Sequence, residues 1–142
     1  MPYIRIQLAG VPLSPASPEI DALVTQLQAG VTDALVDYLH KERTLTVVSV
    51  GSDDCAHWSA DGRPLAGRGA AVQAFITAGT NNSAEKAAFI AACYDLLAAV
   101  LGPLSAPTYV VVQEVPAGDW GYDGLSQAAR KQQREKEGEV QS

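Results

Sequence analysis

The sequence predicts an α/β (α+β) fold in which two tandem βαβ units join their strands into a four-stranded sheet with two helices on one face. Three observations carry this. The order strand, long helix, strand occurs twice. Matched landmarks recur at offsets of 69 (Gly10 to Gly79), 66 (Ser17 to Ser83) and 62 (Trp58 to Trp120), the decline reflecting shorter loops in the second copy. The chain, 142 residues and 47% hydrophobic, is long enough to bury roughly two thirds of its unfolded surface around one core.

The first strand is expected over Tyr3 to Leu8, ending at Ala9-Gly10. After a loop, Ser17-Pro18 opens a helix, since Ser is a good N-cap and Pro at the first helical position gives up an N–H that would be unpaired anyway. Apolar residues at Ile20, Leu23, Val24, Leu27, Val31, Leu35 and Leu39 keep the 3.6-residue period of one buried face to about His40. A β-branched run, Leu45 to Val50, is the second strand, followed by a polar turn, Gly51 to Asp54.

The second unit repeats this order. Its first strand is expected over Val72 to Thr77, and Asn82 with Glu85 forms a capping box. The helix then carries Phe89, Cys93, Leu96, Leu97, Val100 and Leu101 until Gly102-Pro103 stops it, and a strand follows over Tyr109 to Val112. One domain, residues 1–129, is thus divided into a first unit (1–61), a turn-rich linker (62–69) and a second unit (70–125). The polar end, residues 130–142, has no apolar stripe; it is open to nascent helix but cannot bury enough to offset its ordering entropy, and is expected to be solvated or frayed. With helices on one side only, the other sheet face is open. Ile4, Ile6, Val48, Val50, Val110 and Val112 are the apolar residues expected to cover it by meeting copies of the chain, which makes a homo-oligomer the economical expectation.

Charge narrows the partners. The net charge is −6, and removing Arg130 to Glu139 leaves −7 on the body, which repels a phosphate backbone and disfavours nucleic acid. No apolar run approaches the roughly 18 residues of a membrane span, and the start lacks the pattern of a secretory signal, so no membrane association and a cytoplasmic location are expected. Cys55 and Cys93 stand far apart, and neither they nor His40 and His57 have metal-ligand spacing, so no metal site is expected.

Pro2 is the residue through which the chain could do chemistry. Removal of Met1 would leave a prolyl secondary amine, and desolvation of such an amine favours its free base, suited to moving a proton beside a carbonyl. The alternative for Pro2 is the plain start of an edge strand, where no N–H is needed.

The Met-Pro start on a strand, the duplicated βαβ unit, and the stretch Val112 to Gly124 with its Trp120-Gly121-Tyr122-Asp123-Gly124 turn together resemble the tautomerase superfamily over about Pro2 to Arg130. In that family 4-oxalocrotonate tautomerase is a single unit, while malonate semialdehyde decarboxylase and the macrophage migration inhibitory factor (MIF) group fuse two units and form trimers. The resemblance implies a tautomerase/MIF-like fold, a homotrimer, a small carbonyl acid as substrate and no cofactor. It makes Pro2 the catalytic base and Trp120 an apolar wall of the pocket, or else a hairpin residue that seals the core or a subunit contact. The family's carboxylate-binding arginines have no counterpart: Val11-Pro12-Leu13 and Thr80-Asn81-Asn82 follow the first strands, and Val47 and Tyr109 stand where the second strands begin.

Arg43, Arg63 and Arg68 are the candidate replacements, each more simply a surface cation. Asn81 and Tyr109 could donate hydrogen bonds to an enolate oxygen, and Glu114 and Asp119 could position water. The leading expectation is a keto-enol tautomerase, an isomerase. The alternatives are a cofactor-independent decarboxylase, hydratase or dehalogenase of the same superfamily, and a non-catalytic trimeric scaffold.

Overall fold

Alternation along the first strand, β1 (Tyr3–Ala9), decides which way the sheet faces. Ile4, Ile6 and Leu8 are buried, while Tyr3 and Arg5 are exposed. The computed structural model describes residues 2–15 and 17–141, the last three by backbone alone. Helix α1 (Pro18–Leu39) starts as its cap dictates, with the Ile20 N–H donating to Ser17 Oγ at 3.2 Å and Pro18 in the first turn. It ends where His40 turns left-handed at φ 57° and its N–H reaches the Leu35 carbonyl.

A short 3-10 turn, Arg43–Leu45, leads into β2 (Val47–Asp53), which lies parallel to β1 with Tyr3 opposite Val47. A second 3-10 turn, Cys55–His57, precedes a small antiparallel hairpin, β3 (Ser59–Ala60) and β4 (Arg63–Pro64). Strand β5 (Gly69–Thr77) runs antiparallel to β1 with Phe75 opposite Tyr3. Helix α2 (Ser83–Leu101) opens with the reciprocal Asn82–Glu85 capping box. Strand β6 (Tyr109–Val115) is parallel to β5, with Tyr109 opposite Ala71. A second small hairpin, β7 (Gly121–Tyr122) and β8 (Leu125–Ser126), leads into α3 (Gln127–Gln141).

The main sheet has the order β2-β1-β5-β6. Leu27, Val31 and Leu35 of α1 and Phe89, Cys93 and Leu97 of α2 are wholly buried against the face of the sheet that carries Ile4, Ile6 and Ile76. Each such side chain contributes about 1.5–3 kcal/mol relative to exposure, so this single layer contact is the main source of cohesion. Burial pushes the Cys93 thiol up to about 12, which makes it a packing residue without nucleophilic character at neutral pH.

Two expectations need correction. Ile4, Ile6, Val48, Val50, Val110 and Val112 face the helices, and the open face instead carries Tyr3, Val47, Phe75, Tyr109 and Val111. Runs such as Val110-Val111-Val112 are apolar on both sides, so composition does not tell which parity points inward. Next, the β3–β4 hairpin straddles the expected boundary between the first unit and the linker, and β5 already begins at Gly69. The polar end continues a helix, α3, whose residues 131–138 are exposed, while Gln127, ahead of the polar end, is buried and residues 128–130 are half-buried.

The β3–β4 hairpin extends the repeat. Asp61-Gly62 and Asp123-Gly124 both have two successive positive φ angles, 54° and 71° in the first and 51° and 85° in the second, as a tight two-residue hairpin turn requires. In each unit a Trp stands three residues before the Asp. The Leu65 N–H donates to the Trp58 carbonyl at 3.1 Å, and the Gln127 N–H to the Trp120 carbonyl at 2.9 Å. The repeating unit is therefore βαβ plus a hairpin.

Candidate active site

Because β1 and β5 are antiparallel, the start of β1 lies beside the end of β5, and because β1 and β2 are parallel, it also lies beside the start of β2. The chain leaving β6 turns back over this corner through the β7–β8 hairpin. The result is a cleft of about 480 Å³ lined by Pro2, Leu45, Val47, Trp120, Tyr122 and Gln127, among others. Pro2 is buried, and its carbonyl accepts the Val47 N–H at 3.4 Å.

Trp120 is held at both ends: its indole Nε1 donates to Thr77 Oγ1 at 3.2 Å, and its backbone carbonyl accepts the Gln127 N–H. A Cβ on Gly121 would fall onto the backbone carbonyl of Leu125, so only glycine lets the two strands of the hairpin approach this closely next to Trp120. Arg130 anchors the start of α3 to the same hairpin. Its Nη2 donates to the Tyr122 carbonyl at 2.8 Å, and its guanidinium lies 3.7 Å from the centre of the Tyr122 ring.

The internal repeat explains why chemistry is expected at one end only. Ala70 precedes the Ala71–Tyr109 pair as Pro2 precedes the Tyr3–Val47 pair. Trp58 borders the start of β5, where a Cβ on Gly69 would lie 3.4 Å from its ring. The nitrogen at Ala70 belongs to a peptide bond and has no basicity to offer. The Trp58 indole is tied instead to Asp53 Oδ2 at 2.9 Å, and this bond, aided by one from Gln7, holds the Asp53 carboxyl below its ordinary 3.8.

Of the residues singled out from sequence, Pro2 and Trp120 meet in the cleft. Tyr109 stands on the open sheet face, 69% exposed, opposite Ala71, which itself pairs with Gln7 at the far end of β1. Asn81 joins the two helices, its Nδ2 donating to the Leu39 carbonyl at 3.0 Å and to Glu85 Oε1 at 3.4 Å. Arg43 pairs with Asp33 at 2.6 Å on the surface. Arg63 is exposed on β4, and Arg68 donates to the Leu101 carbonyl at 3.1 Å. Glu114 pairs with Lys86 at 3.3 Å, and Asp119 is exposed beside the second hairpin. The cleft also recruits Tyr122 and Gln127, which sequence reasoning missed. Tyr122 lay inside the hairpin motif, but nothing in a polar segment distinguished Gln127.

Among the described residues no three His, Cys, Asp or Glu side chains come together as a metal site, and no helix is long and apolar enough to cross a membrane.

No family model matches the chain, and no curated protein sequence does. Solved structures do. A wild-type fused 4-OT symmetric trimer, 4-OT being 4-oxalocrotonate tautomerase, is 23% identical with a TM-score of 0.76, covering 90% of this chain and 98% of that one. The FG41 malonate semialdehyde decarboxylase inhibited by 3-bromopropiolate is 21% identical with a TM-score of 0.68, over 92% and 96% of the two chains. A macrophage migration inhibitory factor-like protein from Entamoeba histolytica is 14% identical with a TM-score of 0.69, over 88% and 97%.

Proposed function

We propose that this chain, which has the tautomerase superfamily fold, is a cofactor-independent keto-enol tautomerase of a small carbonyl acid, with Pro2 as its general base once Met1 is removed; Met1 lies outside the described residues. One observation carries the reading: Pro2 is buried at the base of a cleft walled by Trp120, Leu45, Val47 and Tyr122. Such walls withdraw water from an ammonium and favour the free amine. The amine takes a proton from the enol and returns one to the neighbouring carbon, ending as it began, so the reaction is redox-neutral and consumes nothing. Trp120 and Tyr122 exclude water from the enolate and give a flat conjugated substrate a surface to lie on.

The proposal extends to assembly as a homotrimer through the open sheet face. Tyr3, Val47, Tyr109 and Val111 there are 39%, 59%, 69% and 43% exposed, an apolar patch unusual for a solitary chain. Similarity to a fused 4-OT trimer supports it.

The test is ketonisation of phenylenolpyruvate and 2-hydroxymuconate by protein whose mass shows loss of Met1, beside Pro2→Ala. Activity that largely vanishes in the variant supports the proline base. No turnover of either compound despite a free Pro2 sinks the tautomerase reading.

A further inference from the structure

Among the described residues Arg130 forms no ion pair, and its Nε is buried without a hydrogen-bond partner. A half-buried charge with no anion beside it is a poor device for stability alone. Its hydrogen bond and its stacking contact both fall on one residue. Nη2 holds the Tyr122 carbonyl at 2.8 Å, and the guanidinium carbon stands 3.7 Å from the centre of the Tyr122 ring. A single group thus fixes the backbone and the side chain of Tyr122 together. Tyr122 lines the Pro2 cleft, whereas Arg130 does not.

The internal repeat shows what the same arginine does where no chemistry is expected. Arg68 follows Trp58 by ten residues, as Arg130 follows Trp120, and Ala60 holds the place of Tyr122. Arg68 donates to the Leu101 carbonyl at 3.1 Å, at the C-terminal end of α2, where a cation complements the helix dipole. The first unit therefore uses its arginine on a helix end and has no ring two residues after its Trp. The second unit has the ring, and its arginine is turned onto it. Both changes occur together, at the end of the molecule that holds Pro2.

We infer that Arg130 is a positioning residue of the Pro2 cleft: it holds the Tyr122 ring as a fixed wall on which a flat, conjugated anion lies. The inference rests on the proposed tautomerase reading only in naming that anion as the enolate of the reaction. The π face of a phenol is negative and repels an anion laid on it; a guanidinium against the ring offsets that charge. A ring already held in place also spares the ligand the entropy of ordering its own wall on binding. Arg130 acts through Tyr122 and touches no atom of the ligand. The ligand class is a planar carboxylate conjugated to an aromatic ring or a double bond, in preference to a saturated one.

The experiment is titration calorimetry of the full-length protein with cinnamate, an unreactive planar anion, beside NMR relaxation of the Tyr122 ring and kinetics with phenylenolpyruvate. Saturable binding is expected in the wild type. Arg130→Ala should weaken it about ten-fold, the combined worth of a cation–π contact and a hydrogen bond, and should mobilise the Tyr122 ring. Affinity for cinnamamide, the neutral analogue, should fall less. Arg130→Lys, which keeps the charge without the planar fork, should recover part of the loss. In Tyr122→Leu protein, Arg130→Ala should cost no further affinity although it still loosens α3, a non-additivity that a merely structural role would not produce. No saturable binding to the wild type, undiminished affinity or an unmoved ring in Arg130→Ala, or an equal loss in the Tyr122→Leu background overturns the inference. Ring order and cinnamate affinity that depend on Arg130, without turnover of any enol, leave the positioning role standing and remove the tautomerase. Pro2-dependent turnover with an unchanged kcat/KM in Arg130→Ala does the reverse.

Discussion

The indole nitrogen of Trp120 donates to the hydroxyl of Thr77 across 3.2 Å, tying the chain after β6 to the end of β5 at the mouth of the Pro2 cleft. Thr77→Val removes the acceptor while keeping the shape. It should cost about 1 kcal/mol, the net worth of one such bond, and thermal melts would register it. Trp120→Ala removes the wall itself and should lower kcat/KM for phenylenolpyruvate about ten-fold or more, equivalent to at least about 1.4 kcal/mol. A fully active Trp120→Ala would reduce the indole to a hairpin residue.

Gly121→Ala puts a methyl group against the Leu125 carbonyl. The hairpin must open, at about 1–3 kcal/mol for a forced overlap. We expect a lower melting temperature and faster amide exchange at Tyr122 and Ser126. An unchanged melt would show that the strands can part freely.

Arg130→Ala frees the start of α3 from the Tyr122 ring and carbonyl. The core between sheet and helices touches none of these groups, so the melting temperature should hardly move. Amide exchange across Gln127–Gln141 should accelerate at least several-fold, since the remainder of α3 is exposed. Unaltered exchange in α3 would show that Arg130 is not its anchor.

Glu85 titrates below its ordinary 4.5, first because its carboxylate accepts the Asn82 backbone N–H at 2.9 Å, and then through Asn81, His40 and Lys41. The unfolded chain therefore takes up this proton at a higher pH than the folded one. The stabilisation is present above 4.5 and is lost as pH falls through the lowered value. Glu85→Gln should flatten the fall of stability between pH 5 and 3, read from urea unfolding at each pH. A slope identical to the wild type would assign acid sensitivity elsewhere, with Asp53 the next candidate.

The helices and their limits were legible because their signals are local. Ser17 caps α1, and the Asn82–Glu85 box caps α2, within a few residues of where each is needed. The first hairpin was hidden, since Arg63-Pro64 has no apolar alternation and reads as a linker, although the same Asp-Gly turn sits in the second unit. Pro2 and Trp120 were legible as a pair by resemblance to a family. Gln127 was not, because a polar helix with no apolar stripe gives no hint that its first turn will dock through a guanidinium stacked on Tyr122.

What lies within one unit, such as the strand, helix, strand order, the caps and the duplication, follows from side-chain periodicity and short-range hydrogen bonding, and the order of residues specifies it completely. Which face of each strand is buried and which distant segments share a corner depend on antiparallel pairing of β1 with β5 and on the return of the chain after β6. Those are contacts between residues far apart in sequence. Apolar side chains on both faces of the strands leave two packings equally allowed until the helices choose one.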